Sequence, residues 1–256
     1  MTTQLIDEPV PFDPGAPDAS DDAVAAPGRP SRAGRGRGRR KARMVDRPRI
    51  PITLELTGWA HGGYALGRAP DGRIVFASYG IPGEKVIAEI TNEAPKYIEA
   101  TVVHVLEASP HRVTPPCAYF GAGPGQECGG CQLQHIEYPE QLRLKTEVVR
   151  EQLRRIGKFG NALVLPMLGA GDPWGYRNHM RFTVRRDGDV GFMQRGTHRF
   201  LKIEECAIAL PSVNRALAAV QGRTFGTRQL SVRVGEHTSD LLVQPTLQWR
   251  PGRTRR

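Results

Sequence analysis

Apolar and polar positions first fall into register at Ile50. From there Ile50, Ile52, Leu54 and Leu56 alternate with Pro51, Thr53 and Glu55, the period-two pattern of a half-buried strand. Arg73–Ala77, Glu84–Ile90 and Ile98–Leu106 read as further strands, separated by turns at Asp71-Gly72 and Pro82-Gly83. Short strands with glycine-rich corners over residues 50–112 predict a small closed β-barrel. Between the first two of these strands, Gly58–Tyr64 (GWAHGGY) mixes glycines with aromatic rings and reads as a loop. Trp59 and Tyr64 either stack on a nucleic-acid strand or close the barrel mouth.

The pattern changes period at Tyr138. Residues 138–156 (YPEQLRLKTEVVREQLRRI) predict a helix, with Pro139 at its first position and Gly157 as its C-terminal cap. Leu142, Val149, Leu153 and Ile156 form its apolar stripe, and Arg143–Glu147 and Glu151–Arg155 are spaced to pair along its surface. Beyond Trp174 the alternation returns to period two. Met180, Phe182 and Val184 share one face, and Arg181, Thr183 and Arg185 the other. Asp187-Gly188 is a hairpin turn. Val190–Met193, Arg199–Ile203, Ser231–Val234 and Asp240–Gln244 complete an antiparallel sheet, and residues 157–256 as a whole read as hairpins with long turns. The outer face of this sheet carries Arg177, Arg181, Arg185 and Arg195, interleaved with Tyr176, Phe192 and His198. Such a face pairs with phosphates and stacks on splayed bases, or is merely an arginine-rich solvent face. The fold class is mainly β, with an α+β central part over 113–256.

Charge sharpens this picture. Lys and Arg total 36 against 26 Asp and Glu, a net charge of +10. It is unevenly placed: residues 1–28 carry −6, whereas 29–49, which include the run RGRGRR, carry +9. These 49 residues lack apolar periodicity and are expected to be a disordered tail, either solvated or acting as a counterion-releasing arm on RNA. No apolar run approaches the roughly 20 residues of a membrane helix. The acidic, proline-rich start has no apolar signal region. A cytoplasmic protein facing nucleic acid is the expectation.

Four cysteines add candidate chemistry: Cys117, Cys128, Cys131 and Cys206. In Cys128-Gly-Gly-Cys131 the two glycines let the backbone turn tightly, so that both sulfurs face one centre. In a reducing compartment such a set reads as metal-binding. Three sulfurs in one loop and one distant sulfur suit a zinc ion or a [4Fe–4S] cluster, and the lone fourth cysteine leans toward the cluster. A redox CxxC or four unrelated thiols are the plain alternatives.

Taken together, CGGCQLQH at Cys128–His135, the helix at Gln141–Gly157, WGYRNHMRF at Trp174–Phe182, GFMQRGTHRF at Gly191–Phe200 and IEECAI at Ile203–Ile208 resemble the RNA uracil-C5 methyltransferases. The iron–sulfur-containing ribosomal RNA enzymes are the most similar members. The resemblance runs from about Ile50 to Gln244 and implies that 50–112 is a TRAM barrel of OB-like form. It further implies that the four cysteines ligate a [4Fe–4S] cluster, and that the partner is RNA, ribosomal rather than transfer. Phe120–Gln126 reads as an insertion relative to the family. Members of the family continue into a domain that binds S-adenosylmethionine and carries the nucleophilic cysteine. All four cysteines here are assigned as ligands, and no glycine-rich nucleotide turn follows a strand. The residues given therefore hold no catalytic group and are expected to be inactive in methyl transfer alone. They are the RNA-recognition portion, acting with a methyltransferase domain or subunit, or else a stand-alone RNA-binding iron–sulfur or zinc protein. Candidate RNA contacts are Trp59, Tyr64, Tyr176, Arg177, Arg181, Phe192 and Arg195.

Overall fold

The computed structural model describes residues 50–121, 123, 128–238 and 240–245. The expected N-terminal tail, most of the expected insertion and the terminal arginine-rich stretch lie outside the described residues.

The first sheet comprises β1 (Pro51–Glu55), β2 (Gly58–Ala60), β3 (Tyr64–Arg68), β4 (Ile74–Ser78), β5 (Lys85–Glu93) and β6 (Tyr97–Glu107). Its order is β1-β5-β6-β4-β3-β2, antiparallel throughout except for the parallel pair β4–β6. Alternation drives it: Leu54, Ala65, Val75, Ala77, Val86, Ala88, Ile98 and Ala100 point to one shared core. The sheet curls, bringing β1 beside β3, and Thr57 N–H, just before β2, extends the β2–β3 pairing to the Leu66 carbonyl (2.8 Å). The strand ladder among the described residues runs open from β1 to β2, so the expected closed barrel is observed only as a curled six-stranded sheet. The GWAHGGY segment is also not a loop. It forms the hairpin β2–β3, with Trp59 opposite Ala65 and Gly58 opposite Leu66. Gly62 and Gly63, at φ of 89° and 79°, make its turn, a conformation that side chains with a Cβ resist.

Glu84 joins this sheet to the segment Ser109–Arg112 beyond β6. Its carboxylate is completely buried and accepts from Arg112 Nε (2.6 Å), Arg112 Nη2 (2.7 Å), Ile81 N–H (2.9 Å) and Ser109 N–H (3.2 Å). A buried carboxylate is tolerable only when paired and hydrogen-bonded to this degree.

Helix α1 (Tyr138–Arg155) has Pro139 in its first turn, as expected. Its apolar stripe differs from expectation. Leu144 and Thr146 are buried, whereas Val149 and Ile156 are exposed. The helix docks by its first half, where Leu144 meets Ile81 and Ile136, and its second half stands in solvent. Arg143 accordingly turns back to Glu140 (2.7 Å) rather than forward to Glu147, which pairs with Arg150 instead; Arg155 does pair with Glu151.

The second sheet has the order β11-β10-β7-β8-β9, built from β7 (His179–Val184), β8 (Val190–Met193), β9 (Phe200–Lys202), β10 (Gln229–Val234) and β11 (Leu241–Gln244). Every pair is antiparallel. Met180, Phe182 and Val184 are buried on the face that the alternation assigns to the core. A second helix, α2 (Pro211–Val220), covers that face through Val213, Ala216, Leu217 and Val220. It replaces the hairpin expected there. Those four apolar positions recur with helical spacing behind a proline, which is the signal for it.

Candidate cysteine centre and nucleic-acid face

The four cysteines converge from two distant segments. Cys117, Cys128, Cys131 and Cys206 all line one cavity of about 60 Å³, walled by Phe120, Met180, Phe192, Ile203 and Ile208. All four are free thiols. The loop that carries three of them is pinned at several points. Phe120 N–H donates to the Cys117 carbonyl (3.1 Å), and Cys128 N–H donates to the Tyr119 carbonyl (2.9 Å). Gly129 N–H donates to the Met193 carbonyl (3.1 Å) at the end of β8. A Cβ on Gly129 would sit 3.1 Å from that same carbonyl oxygen, so the first glycine of CGGC permits a close approach to the sheet that a side chain would crowd. The fourth cysteine is held from α2. Cys206 N–H donates to Asn214 Oδ1 (2.9 Å), and Asn214 Nδ2 donates to the Cys206 carbonyl (3.1 Å). Asn214 was missed in sequence because the helix that carries it was missed.

The donor set is partly shielded from water. Burial, with mutual repulsion among the four sulfurs, pushes the Cys128 thiol up to about 11. Burial also raises Cys131 and Cys206. Opposing this, Gly130 N–H donates toward the Cys128 sulfur, Gln134 bonds the Cys131 sulfur, and the Arg177 charge favours the Cys131 thiolate. Backbone N–H groups at Ile208 and Ala209 do the same for Cys206. Four partly buried thiolates without a counter-charge would be costly, and a bound cationic centre would supply that charge. Among the described residues, no group of three or more His, Cys, Asp or Glu is gathered tightly enough for a metal ion. The sulfurs instead ring a cavity several times larger than the ~10–15 Å³ that a single water needs.

The last residue of CGGCQLQH has a structural role. His135 is 2% exposed. Burial holds its pKa down at about 4, so the ring is neutral. Its Nε2 lies 3.2 Å from the Gly80 carbonyl, which can only accept, so the proton sits on Nε2. Phe120 stacks on it at 5.7 Å.

The seven candidate RNA contacts separate into two groups. Trp59 is half-buried and packs against both the first core and the Ile81–Ile136–Leu144 cluster. Tyr64 meets Phe76 edge-on at 6.1 Å. Phe192 stacks on Phe182 at 5.2 Å and walls the cysteine cavity. The Arg195 guanidinium lies 5.1 Å from the Tyr79 ring centroid and 5.9 Å from that of Tyr64, turned toward the first sheet. Tyr176 (56% exposed), Arg177 and Arg181 face outward. Arg177 also lines the cysteine cavity, and its backbone is bridged to Ala209. Among the described residues, no helix is long and apolar enough to cross a membrane.

No family model matches the sequence. An uncharacterized RNA methyltransferase of Gloeobacter violaceus is 31% identical over 226 residues, covering 78% of this chain and 48% of the relative. The 23S rRNA (uracil(1939)-C(5))-methyltransferase RlmD of Xanthomonas campestris is 36% identical over 176 residues, covering 66% of this chain and 38% of the relative. Among solved structures, the tRNA (uracil-54, C5)-methyltransferase of Pyrococcus abyssi aligns with a TM-score of 0.47 at 21% identity, over 74% of this chain and 44% of that one. The chain spans about half the length, or less, of the curated relatives it matches. Over the portion it spans, this chain belongs to the RNA uracil-C5 methyltransferase family.

Proposed function

We propose that this chain is the RNA-recognising portion of an S-adenosylmethionine-dependent uracil-C5 methyltransferase acting on 23S ribosomal RNA. In this reading a [4Fe–4S] cluster is held by Cys117, Cys128, Cys131 and Cys206. The observation that carries it is the convergence of four thiols, from residues 117–131 and from Cys206, on one cavity in a chain of this family. Three sulfurs from one loop and one from a distant segment, around an apolar cavity, suit a polynuclear cluster. The cluster's contribution is structural: it ties the 117–131 loop to the α2 end of the second sheet. Arg177 and the N–H groups at Gly130, Ile208 and Ala209 offset its negative charge.

With every cysteine of the sequence committed to the cluster, none is left to attack C6 of uracil. These residues thus supply recognition, and the transfer chemistry falls to a methyltransferase domain or subunit that brings S-adenosylmethionine and its own thiol. Recognition uses the outward group, Tyr176, Arg177 and Arg181, while Trp59, Tyr64, Phe192 and Arg195 position it. Anaerobically purified protein titrated with a 23S ribosomal fragment and with a scrambled RNA of equal length tests this. A clear preference for the ribosomal fragment is expected, and equal affinity would overturn the reading.

A further inference from the structure

A second cavity opens beside the cysteine centre. It has a volume of about 310 Å³ and lies between the first two turns of α1 and the 172–177 turn. That is the low end of the roughly 300–1,000 Å³ usual for small-ligand sites, too small for a helix and of the size of one nucleotide. Its floor is Gly130-Cys131, so it shares a wall with the cysteine cavity.

The walls combine rings with free cations. Tyr176, more than half exposed, and the half-buried Trp174 stand on one side. Lys145 reaches in from α1, and Arg177 lies between the two cavities. The helix shows why Lys145 matters. Arg143, Arg150, Arg154 and Arg155 are each paired with a glutamate on the same helix. Among the described residues, Lys145 and Arg177 have no ion-pair partner. The one carboxylate on the wall, Asp172, accepts from Trp174 N–H at 2.9 Å and so fixes the turn. Gln132 adds an exposed amide able to meet a base edge.

Resting on the RNA-binding reading above, we infer that this groove takes one unstacked nucleotide of single-stranded RNA. Its base lies against Tyr176 and Trp174, and its phosphate meets Lys145 and Arg177. Aromatic stacking is available only to a base already out of a helix, so the groove selects single strands.

The test uses the full chain and a fluorescein-labelled, ten-nucleotide, uridine-rich single-stranded RNA, read by anisotropy. Tyr176→Ala and Lys145→Ala are each expected to weaken binding about tenfold, and Arg150→Ala to leave it unchanged. The same strand annealed into a duplex should bind at least tenfold more weakly. For wild-type protein, a 4-thiouridine version of the strand should crosslink within 172–177 or at Gln132, a result independent of how the variants fold. If wild-type protein binds the strand but the groove variants bind equally and the crosslinks fall elsewhere, the groove assignment is overturned and the RNA reading survives. If wild-type protein binds no RNA, both fail.

Discussion

Arg177 and Arg195 flank the same Cys128–Cys131 loop, and in sequence both belong to one arginine-and-aromatic pattern. In the fold they part. Arg195 turns inward over Tyr64 and Tyr79 and joins the end of β8 to the first sheet, while Arg112 joins the segment beyond β6 to that sheet through Glu84. Arg177 turns outward, beside the exposed Tyr176 and beside Lys145, which has no ion-pair partner among the described residues. The difference is one of partners. An arginine whose guanidinium finds aromatic faces or a buried carboxylate becomes part of the protein's interior, while one that finds neither remains available to a ligand. Alternation along a strand fixes which way a side chain leaves the sheet, but not whether another part of the chain covers it.

Arg112→Ala strikes the inward group hardest. It strands the Glu84 carboxylate in the interior, and uncompensated buried charges of this kind cost about 3–5 kcal/mol. Chemical denaturation should show a loss of that size, and a change under 1 kcal/mol would mean that Glu84 finds other partners.

His135 gives the inward side a pH signature. Its pKa in the fold, about 4, lies below the ordinary value near 6.5. The folded state therefore favours the neutral ring. The contribution is intact above pH 6.5, erodes as pH falls from 6.5 toward 4, and amounts to about 3 kcal/mol at most. His135→Gln should flatten stability against pH across that window. An unchanged slope would show that other groups carry it.

Exchanging the two arms of the comparison gives the next effect. Tyr176→Ala is expected to cost about 1–3 kcal/mol of single-stranded RNA binding, with folding stability changed by under about 0.5 kcal/mol. Arg195→Ala should do the reverse, losing about 0.5–2 kcal/mol of stability with the cation–π contacts while RNA affinity holds. If Arg195→Ala instead abolished binding with no effect on melting, the inward assignment would be wrong. Arg150→Ala, which breaks an exposed pair on α1, should change stability by no more than about 1 kcal/mol.

The sequence made the periodic parts of the fold legible. Val190–Met193 lies where alternation placed it, and α1 begins at Tyr138 as Pro139 implied. The burial of Met180, Phe182 and Val184 also follows from alternation alone. What escaped was decided by local exceptions or by contacts distant in sequence. Hairpin β2–β3 hides behind its own turn glycines, Gly62 and Gly63. Helix α2 was obscured by the strand-like texture around it, although Val213, Ala216, Leu217 and Val220 carry its period. The apolar stripe of α1 was misplaced because docking of its first half against Ile81 and Ile136 overrides the residues that merely recur at helical spacing. At the cysteine centre, spacing was enough to suggest a common site. The positioning of Cys206 by Asn214 and the stacking of Arg195 required long-range contacts that no window of sequence contains.

The central claim is that these four thiols hold one polynuclear centre. Iron and acid-labile sulfide, quantified per chain in anaerobically purified protein alongside its visible absorption, test it most directly. About four irons and four sulfides per chain are expected, both lost in Cys206→Ser. One zinc per chain without sulfide, or full iron retained in Cys206→Ser, would contradict it.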